Sequence, residues 1–494
     1  MRYALNPQLQ IGETIVSDIE FDTYSRDDIP QLLRGLQHLY NSTEVRDAIL
    51  EKFGTVIIGE TDPETGRPGM PLWSVLVLGV LRLGLNCDYD RVMELANEHR
   101  TLRQMMGHGI FDEDKRYGLQ TIKDNVSKLT PEILDQINHE IVKQGHQLLG
   151  KEEQFLNGRC DSFVVETDVD FPTDIKLLVD AMRKLLVACG KADKSFTEVE
   201  GWRQYLHLYS GLRNLGHKAS KLKKPTSKKP DRVAEREEAI RRAYQALLDR
   251  GHALLDRVRI THNILQTHAS PTAIGLTQTI NQFIPHAERQ LDQIKRRVIL
   301  GEVIPHEEKV FSIFEEHTEW ISEGKAGVPV ELGLRVCVLE DQMGFILHHK
   351  VMERQTDDKV AVEMVESTQV NYPQLKSCSF DKGFHSVSNQ EKLGTLLDEL
   401  TLPKKGKWSE ADRKRESTDT FIAARKQHPA VESAINALEA HGLDRCPDHG
   451  INGFKCYVAW SIVGRNLIKI GAVLQQNERE KLKRKQQRAR RLAA

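Results

Sequence analysis

The sequence predicts a mixed α+β or α/β protein: a mixed-sheet core interrupted by a long helical insertion and preceded by an all-helical N-terminal domain. Three observations predict it. Helical patterning fills the stretch from about Phe21 to Leu149. Strand-like patterning is confined to a short apolar stretch, Phe163 to Val165, and a later region from about Phe311 to Pro403, where Leu332 to Val338 alternate at period two. Between those two, helical patterning runs from Ile175 to about Leu300.

Taken in order, Leu32, Leu33, Leu36 and Leu39 recur near helical spacing after Asp28. The apolar run Met70 to Leu81 is broken by Arg82 and is too short to span a bilayer, so it reads as a buried helix. Thr130 as N-cap and Pro131 at the first helical position open a helix whose apolar face is Ile133, Leu134, Ile137, Ile141 and Val142. These helices suit a helix-turn-helix reader of DNA or a dimerisation bundle equally. Phe163 to Val165 form a strand emerging into an acidic loop. Inside the following helical region, His217 to Arg232 is rich in Lys, Pro and Ser and reads as an exposed basic loop. Trp202, Tyr205 and Tyr209 share helical spacing there and read as core.

Leu332, Leu334, Val336 and Val338 alternate, the turn Asp341-Gln342-Met343-Gly344 follows, and Phe345 to Met352 is again strand-like, which is a β-hairpin signal. A helix over Asp358 to Val370 and a strand over Ser377 to Phe380 come next. A helix at Gln390 to Asp398, a strand at Leu400 to Pro403, and helices at Pro429 to Ala440 and Gly453 to Leu474 complete the order. The last segment is basic, with no apolar face to bury.

At 494 residues the chain has room for about three units of ordinary size. With 39% hydrophobic and 29% charged residues it can build real cores, which excludes fibrous and wholly disordered classes. A formal net charge of -1 excludes a uniformly basic nucleic-acid coat but not local DNA binding. Seven scattered cysteines without a CxxC pair fit a reducing cytosol, with neither a disulfide framework nor a zinc finger. The N-terminus has no signal-peptide core, and the expected location is the bacterial cytoplasm, at the nucleoid, with no membrane partner.

Three acidic residues fall at telling places. Asp161 lies on the first strand, Asp381 ends the strand that follows hairpin and helix, and Glu432 sits in the first turn of a late helix. An RNase H-like sheet presents metal ligands in that order: two strand ends hold carboxylates side by side, and a helix across the sheet brings the third. Hard oxygen donors suit Mg²⁺ or Mn²⁺, two ions roughly 4 Å apart, for in-line displacement at phosphorus. The ordinary alternative is that each is a turn former or cap.

The segments DSFVVETDVDFPTD, SIFEEHTEWISEGKAGVPVELG, SFDKGFHS and HPAVESAINALEAHGLDRCPDHGINGFKCYVAWSIVGRNL resemble DDE transposases of bacterial insertion sequences, in particular the ISNCY group. The resemblance runs from about Phe21 to Leu474. It implies Asp161, Asp381 and Glu432 as the catalytic, metal-binding triad. It further implies two Mg²⁺ or Mn²⁺ ions, terminal inverted repeats and target DNA as partners, and a homodimer in the synaptic complex. The chain departs from the pattern in two places. Glu439 stands where many relatives carry a basic residue, and the Arg that often precedes the glutamate is replaced by His428 or taken by Arg425. Glu432, Asn436 and Glu439 share a helix face, so Glu439 is the alternative third ligand. Asp168 or Asp170 is the alternative first, and Glu166 is expected on the opposite side of the strand.

Other residues carry two readings each. His385 either contacts the scissile phosphate or makes an ordinary hydrogen bond. Lys382 touches phosphate or is a solvated turn residue, and Gly383 supplies a backbone conformation closed to other residues. His317-Thr318-Glu319-Trp320 and the Glu331 region are read as support for strand pairing. Lys218, Lys221, Lys223, Lys224, Lys228 and Lys229 of the loop, and Lys483, Arg484 and Lys485 of the tail, are candidates for the DNA backbone or plain solvated charge.

The expected division is 1–150 helical DNA-binding or dimerisation domain, 151–185 first part of the core, 186–308 helical insertion, 309–474 second part of the core, and 475–494 basic tail. The expected function is a transposase. The alternatives are an RNase H-like nuclease or resolvase, and a domesticated DNA-binding protein without activity.

Overall fold

The strand-like stretches become strands. In the computed structural model, which describes residues 3–5, 11–58, 69–151, 154–222, 229–322 and 329–493, the strands are β1 (Leu156–Thr167), β2 (Glu319–Ile321), β3 (Glu331–Glu340), β4 (Ile346–Met352), β5 (Leu375–Phe380), β6 (Glu399–Thr401) and β7 (Arg445–Cys446). They make one mixed sheet of order β2-β3-β1-β5-β6, with β4 also on β3 and β7 on β1. The hairpin is antiparallel, as is β1 with β3, whereas β5 runs parallel to β1 and β6 parallel to β5. Helices take up most of the remaining described chain, so the fold is α+β.

The chain divides into two units, 1–168 with 321–494, and 169–320. In the first, helix Gly450–Ala493 packs among Asp28–Asn41, Leu72–Gly84 and Pro131–Leu149. Two glycines let the first contact close. A Cβ on Gly35 would lie 2.3 Å from the Leu467 carbonyl oxygen, and one on Gly471 1.8 Å from that of Gln31. Buried amides then tie helices to the hairpin. Asn466 Nδ2 donates to Asn138 Oδ1 (2.7 Å), Asn138 Nδ2 donates to the Ile346 carbonyl (3.0 Å), and the Ile346 N–H donates to Asn466 Oδ1 (3.1 Å). Asp341, wholly buried in the hairpin turn, accepts from His146 Nε2 (2.7 Å) and from the N–H groups of Met343 and Phe345.

This unit differs from expectation at its C-terminal end. Helix Gly450–Ala493 is continuous, so the basic tail is its last turns. It is long and apolar enough to cross a membrane, yet 72% of its apolar window is buried inside the protein. Leu72–Gly84, the other apolar helix, is buried throughout. Two short helices not read from the sequence, Glu410–Glu416 and Asp419–Gln427, fill the stretch before the glutamate helix. All seven cysteines are free; Cys160 and Cys337 Sγ atoms lie 3.4 Å apart between β1 and β3.

The second unit is helical: Asp174–Ser195, Tyr205–Lys221, Pro230–Gln266 and Pro271–Ile294 around a core of its own. Its bounds are wider than 186–308, because Leu178, Met182 and Leu185 of the first of these helices are built into that core. Trp202 is buried there, donating to Thr261 Oγ1 (2.8 Å) under the Arg257 guanidinium, and Tyr205 and Tyr209 pack against the same core. Where an exposed loop was expected, Lys218 and Lys221 lie on helix and a new helix starts at Pro230. Lys223, Lys224 and Lys228 lie outside the described residues.

Candidate active site

The parallel pairing of β1 with β5 puts Cys160 opposite Phe380. The next residues are Asp161, within β1, and Asp381, just past the end of β5, so the two carboxylates come side by side where the strands end their pairing. Alternation places Arg159 on the sheet face of Asp161, and Ser379 on that of Asp381. Cys160, Cys337 and Cys378 sit in the buried core beneath.

Burial pushes the Asp161 carboxyl up to about 7, and the neighbouring charges of Asp381, Asp357 and Glu432 push the same way. The Ser162 N–H, which donates to Asp161 Oδ1 at 2.8 Å, opposes them. The like charges of these three neighbours thus disfavour the ionised form of Asp161.

Glu432 is held by its helix. Val431, Ala434, Ile435 and Leu438 of Ala430–Leu438 are buried at helical spacing, which turns Glu432 to the exposed side. Glu439 begins the distorted turn Glu439–Leu443, where Gly442 takes φ of +101°. Of these two acids, Glu432 is the one whose charge raises Asp161.

Asp357 belongs to this group and was missed in the sequence. It opens helix Asp357–Asn371, and its Oδ1 accepts a 2.6 Å hydrogen bond from Ser162 Oγ. As a first-turn acid it reads as an ordinary helix-dipole partner; only the sheet register brings it beside Asp161. Asp357 also explains Gly383. That glycine does not use a positive φ, contrary to expectation. A Cβ there would stand 2.8 Å from Asp357 Oδ2, so the residue gives clearance to a carboxylate.

The alternatives for the first ligand are engaged elsewhere. Glu166 pairs with Arg445 (2.9 Å), and Arg445 also lies 3.7 Å from Asp168. Asp170 pairs with Lys176 (3.2 Å). His385 is buried, and the charges that act on its ring are Lys404, Arg415 and Asp412; burial lowers its pKa. His428 stands closer to the carboxylates. Its Nδ1 shares a 3.0 Å hydrogen bond with Ser379 Oγ, and Asp381 partly offsets the lowering of its pKa by burial. Lys382, Lys218, Lys221, Lys229, Lys483, Arg484 and Lys485 are exposed.

Asp161, Asp357, Asp381 and Glu432 form no ion pair with Lys, Arg or His among the described residues. An oxygen-only, unneutralised donor set is the kind Mg²⁺ and Mn²⁺ take. Among the described residues, however, no three His, Cys, Asp or Glu side chains stand close enough together to enclose an ion. No family model matches this chain, and neither a curated protein nor a solved structure matches it.

Proposed function

We propose that this chain is a DNA transposase of the insertion-sequence type, cutting and joining DNA through Asp161, Asp381 and Glu432 in an RNase H-like core. The observation that carries the reading is that Asp161 and Asp381 each follow the last paired residues of the parallel strands β1 and β5, with Glu432 near enough to raise Asp161. The strand order is consistent with it: hairpin, first strand, then two parallel strands on the other side.

Asp161, Asp381 and Glu432 would hold the divalent ions, with Asp357 beside them. When bound, such ions activate the attacking hydroxyl and stabilise the leaving oxygen of an in-line displacement. The chain's own work is to hold the carboxylates in place. Ser162 fixes Asp161 by its N–H and Asp357 by its hydroxyl, and Gly383 leaves room for the latter. Hydrolysis and strand transfer are both displacements at phosphorus, so one site can serve both.

The test is incubation of the purified protein with Mg²⁺ and DNA carrying the sequences that flank its gene. Nicking followed by joining is expected, and Asp381→Ala should abolish both. Nicking without joining would leave a nuclease. Absence of both, with no divalent-ion binding by calorimetry, would leave a DNA-binding protein without activity.

A further inference from the structure

On the face that carries Asp161, the charge changes sign within two residues. Arg159 donates to Glu340 Oε2 at 3.2 Å, and that single carboxylate also faces Arg465 and Lys469 from helix Gly450–Ala493. The neighbouring Asp341 is already engaged by His146. Neither Arg465 nor Lys469 forms an ion pair among the described residues, and Arg465 Nε is buried with no hydrogen-bond partner. Arg159, Arg465 and Lys469 therefore gather around Glu340, with Asp341 the one further carboxylate near Lys469. Burying cations without counter-charge is costly, and such an arrangement persists where an anion completes it.

A groove opens beside Arg159. It has a volume of about 230 Å³ and is lined by Asn157, Arg159, Ser377, Ser379, Thr420 and Gln427. Glu399 is its one acidic wall residue. Hydroxyls, amides and a guanidinium are the groups that hold phosphate oxygens. Arg159 uses one of its five N–H donors on Glu340, which leaves the rest of its fork for a ligand. The groove adjoins the carboxylates through Ser379, whose hydroxyl is bonded to His428, the imidazole that feels Asp381. Arg159 and Asp161 are two residues apart on one strand, about 6.7 Å, close to the step between successive phosphates of a nucleic-acid strand.

We propose that this groove is a phosphodiester site, in which Arg159 holds the phosphate next to the one being cut while Arg465 and Lys469 supply charge from behind. The inference rests on the nucleic-acid reading above, but its test does not depend on cleavage. A fluorescent single-stranded oligonucleotide is titrated with the full-length protein in metal-free buffer at several salt concentrations. Arg159→Gln and Lys469→Gln should each weaken binding about fivefold and lower the salt slope by about 0.7. Asp381→Asn should bind at least as well as wild type. Replacing one linkage by a neutral methylphosphonate should weaken binding to wild type at one position and make no difference to Arg159→Gln. Lys469→Gln, on a helix rather than a strand, guards against a folding defect in Arg159→Gln, and melting temperatures check both. Equal affinity and slope in all proteins would overturn the proposal. So would stabilisation by inorganic phosphate with oligonucleotide binding indifferent to Arg159→Gln, which would mark a free-phosphate site. A wild type that binds through Arg159 yet never cuts would support this site and sink the transposase reading instead.

Discussion

Ser162 Oγ donates to Asp357 Oδ1 at 2.6 Å, and this bond joins the first strand of the sheet to the first turn of the helix that follows the hairpin. Because the Ser162 N–H binds Asp161 at the same time, one serine sets two carboxylates. Asp357→Asn removes one of the charges that raise Asp161 while keeping an acceptor for Ser162. The Asp161 carboxyl should then titrate below its value of about 7, as read by carboxyl-carbon NMR against pH. An unchanged midpoint would show that the two groups are uncoupled.

Asp161 should also set the stability of the free protein. Its folded-state pKa is raised above the unfolded value, so its contribution is fully present below the unfolded pKa, near 4, and is lost as pH rises through about 7. Asp161→Asn should therefore stabilise the metal-free protein at pH 8 by on the order of 2 kcal/mol, after discounting for partial exposure, and give no gain near pH 4. Urea denaturation at the two pH values measures it.

If the carboxylates hold Mn²⁺, binding must displace the Asp161 proton. Calorimetric affinity should rise from pH 6 to pH 7 and flatten above it, with proton uptake by the buffer on the acid side. Asp381→Ala should remove the binding. A pH-independent affinity would place the ion elsewhere.

The buried Asp341 depends on His146. His146→Ala leaves that carboxylate buried with only two backbone donors, and should cost about 3 kcal/mol in urea denaturation. A loss under 1 kcal/mol would show that the two N–H groups suffice. Gly471→Ala should be worse, since its methyl has the Gln31 carbonyl in its way; helices would have to separate, and soluble yield is the first readout.

Residues Lys483, Arg484 and Lys485 lie on exposed helix beyond Gln475 and Arg479, which still bond to the Thr23 carbonyl. Truncation after Glu480 should leave urea stability within about 0.5 kcal/mol of wild type. If the tail meets DNA, duplex affinity and its salt slope should both fall. Unchanged binding would make these residues solvated charge.

Much of the strand and helix order could be read from the sequence because it is written locally. The alternation at Leu332 to Val338, the turn at Asp341 to Gly344, and the Pro131 start each carry their own signal. What could not be read is set by long-range contacts. Asp357 joins the site through strand register, and no local pattern marks it. The Arg159–Glu340–Arg465–Lys469 group draws on three elements far apart in sequence. Glu410–Glu416 and Asp419–Gln427 are too short and polar for periodicity to show them. The tail carries no apolar face by which the sequence marks a helix, and it is helical because an already packed helix extends into it.

The glycine-close contact between helix Asp28–Asn41 and helix Gly450–Ala493 sets a timetable for synthesis. The opening helices emerge from the ribosome some four hundred residues ahead of the partner that closes their core. Their apolar faces must wait through the translation of unit 169–320, which owns a complete core and can fold meanwhile. Chains halted before Gly471 would thus hold one finished unit and one open one, and would be natural clients for chaperones or proteases.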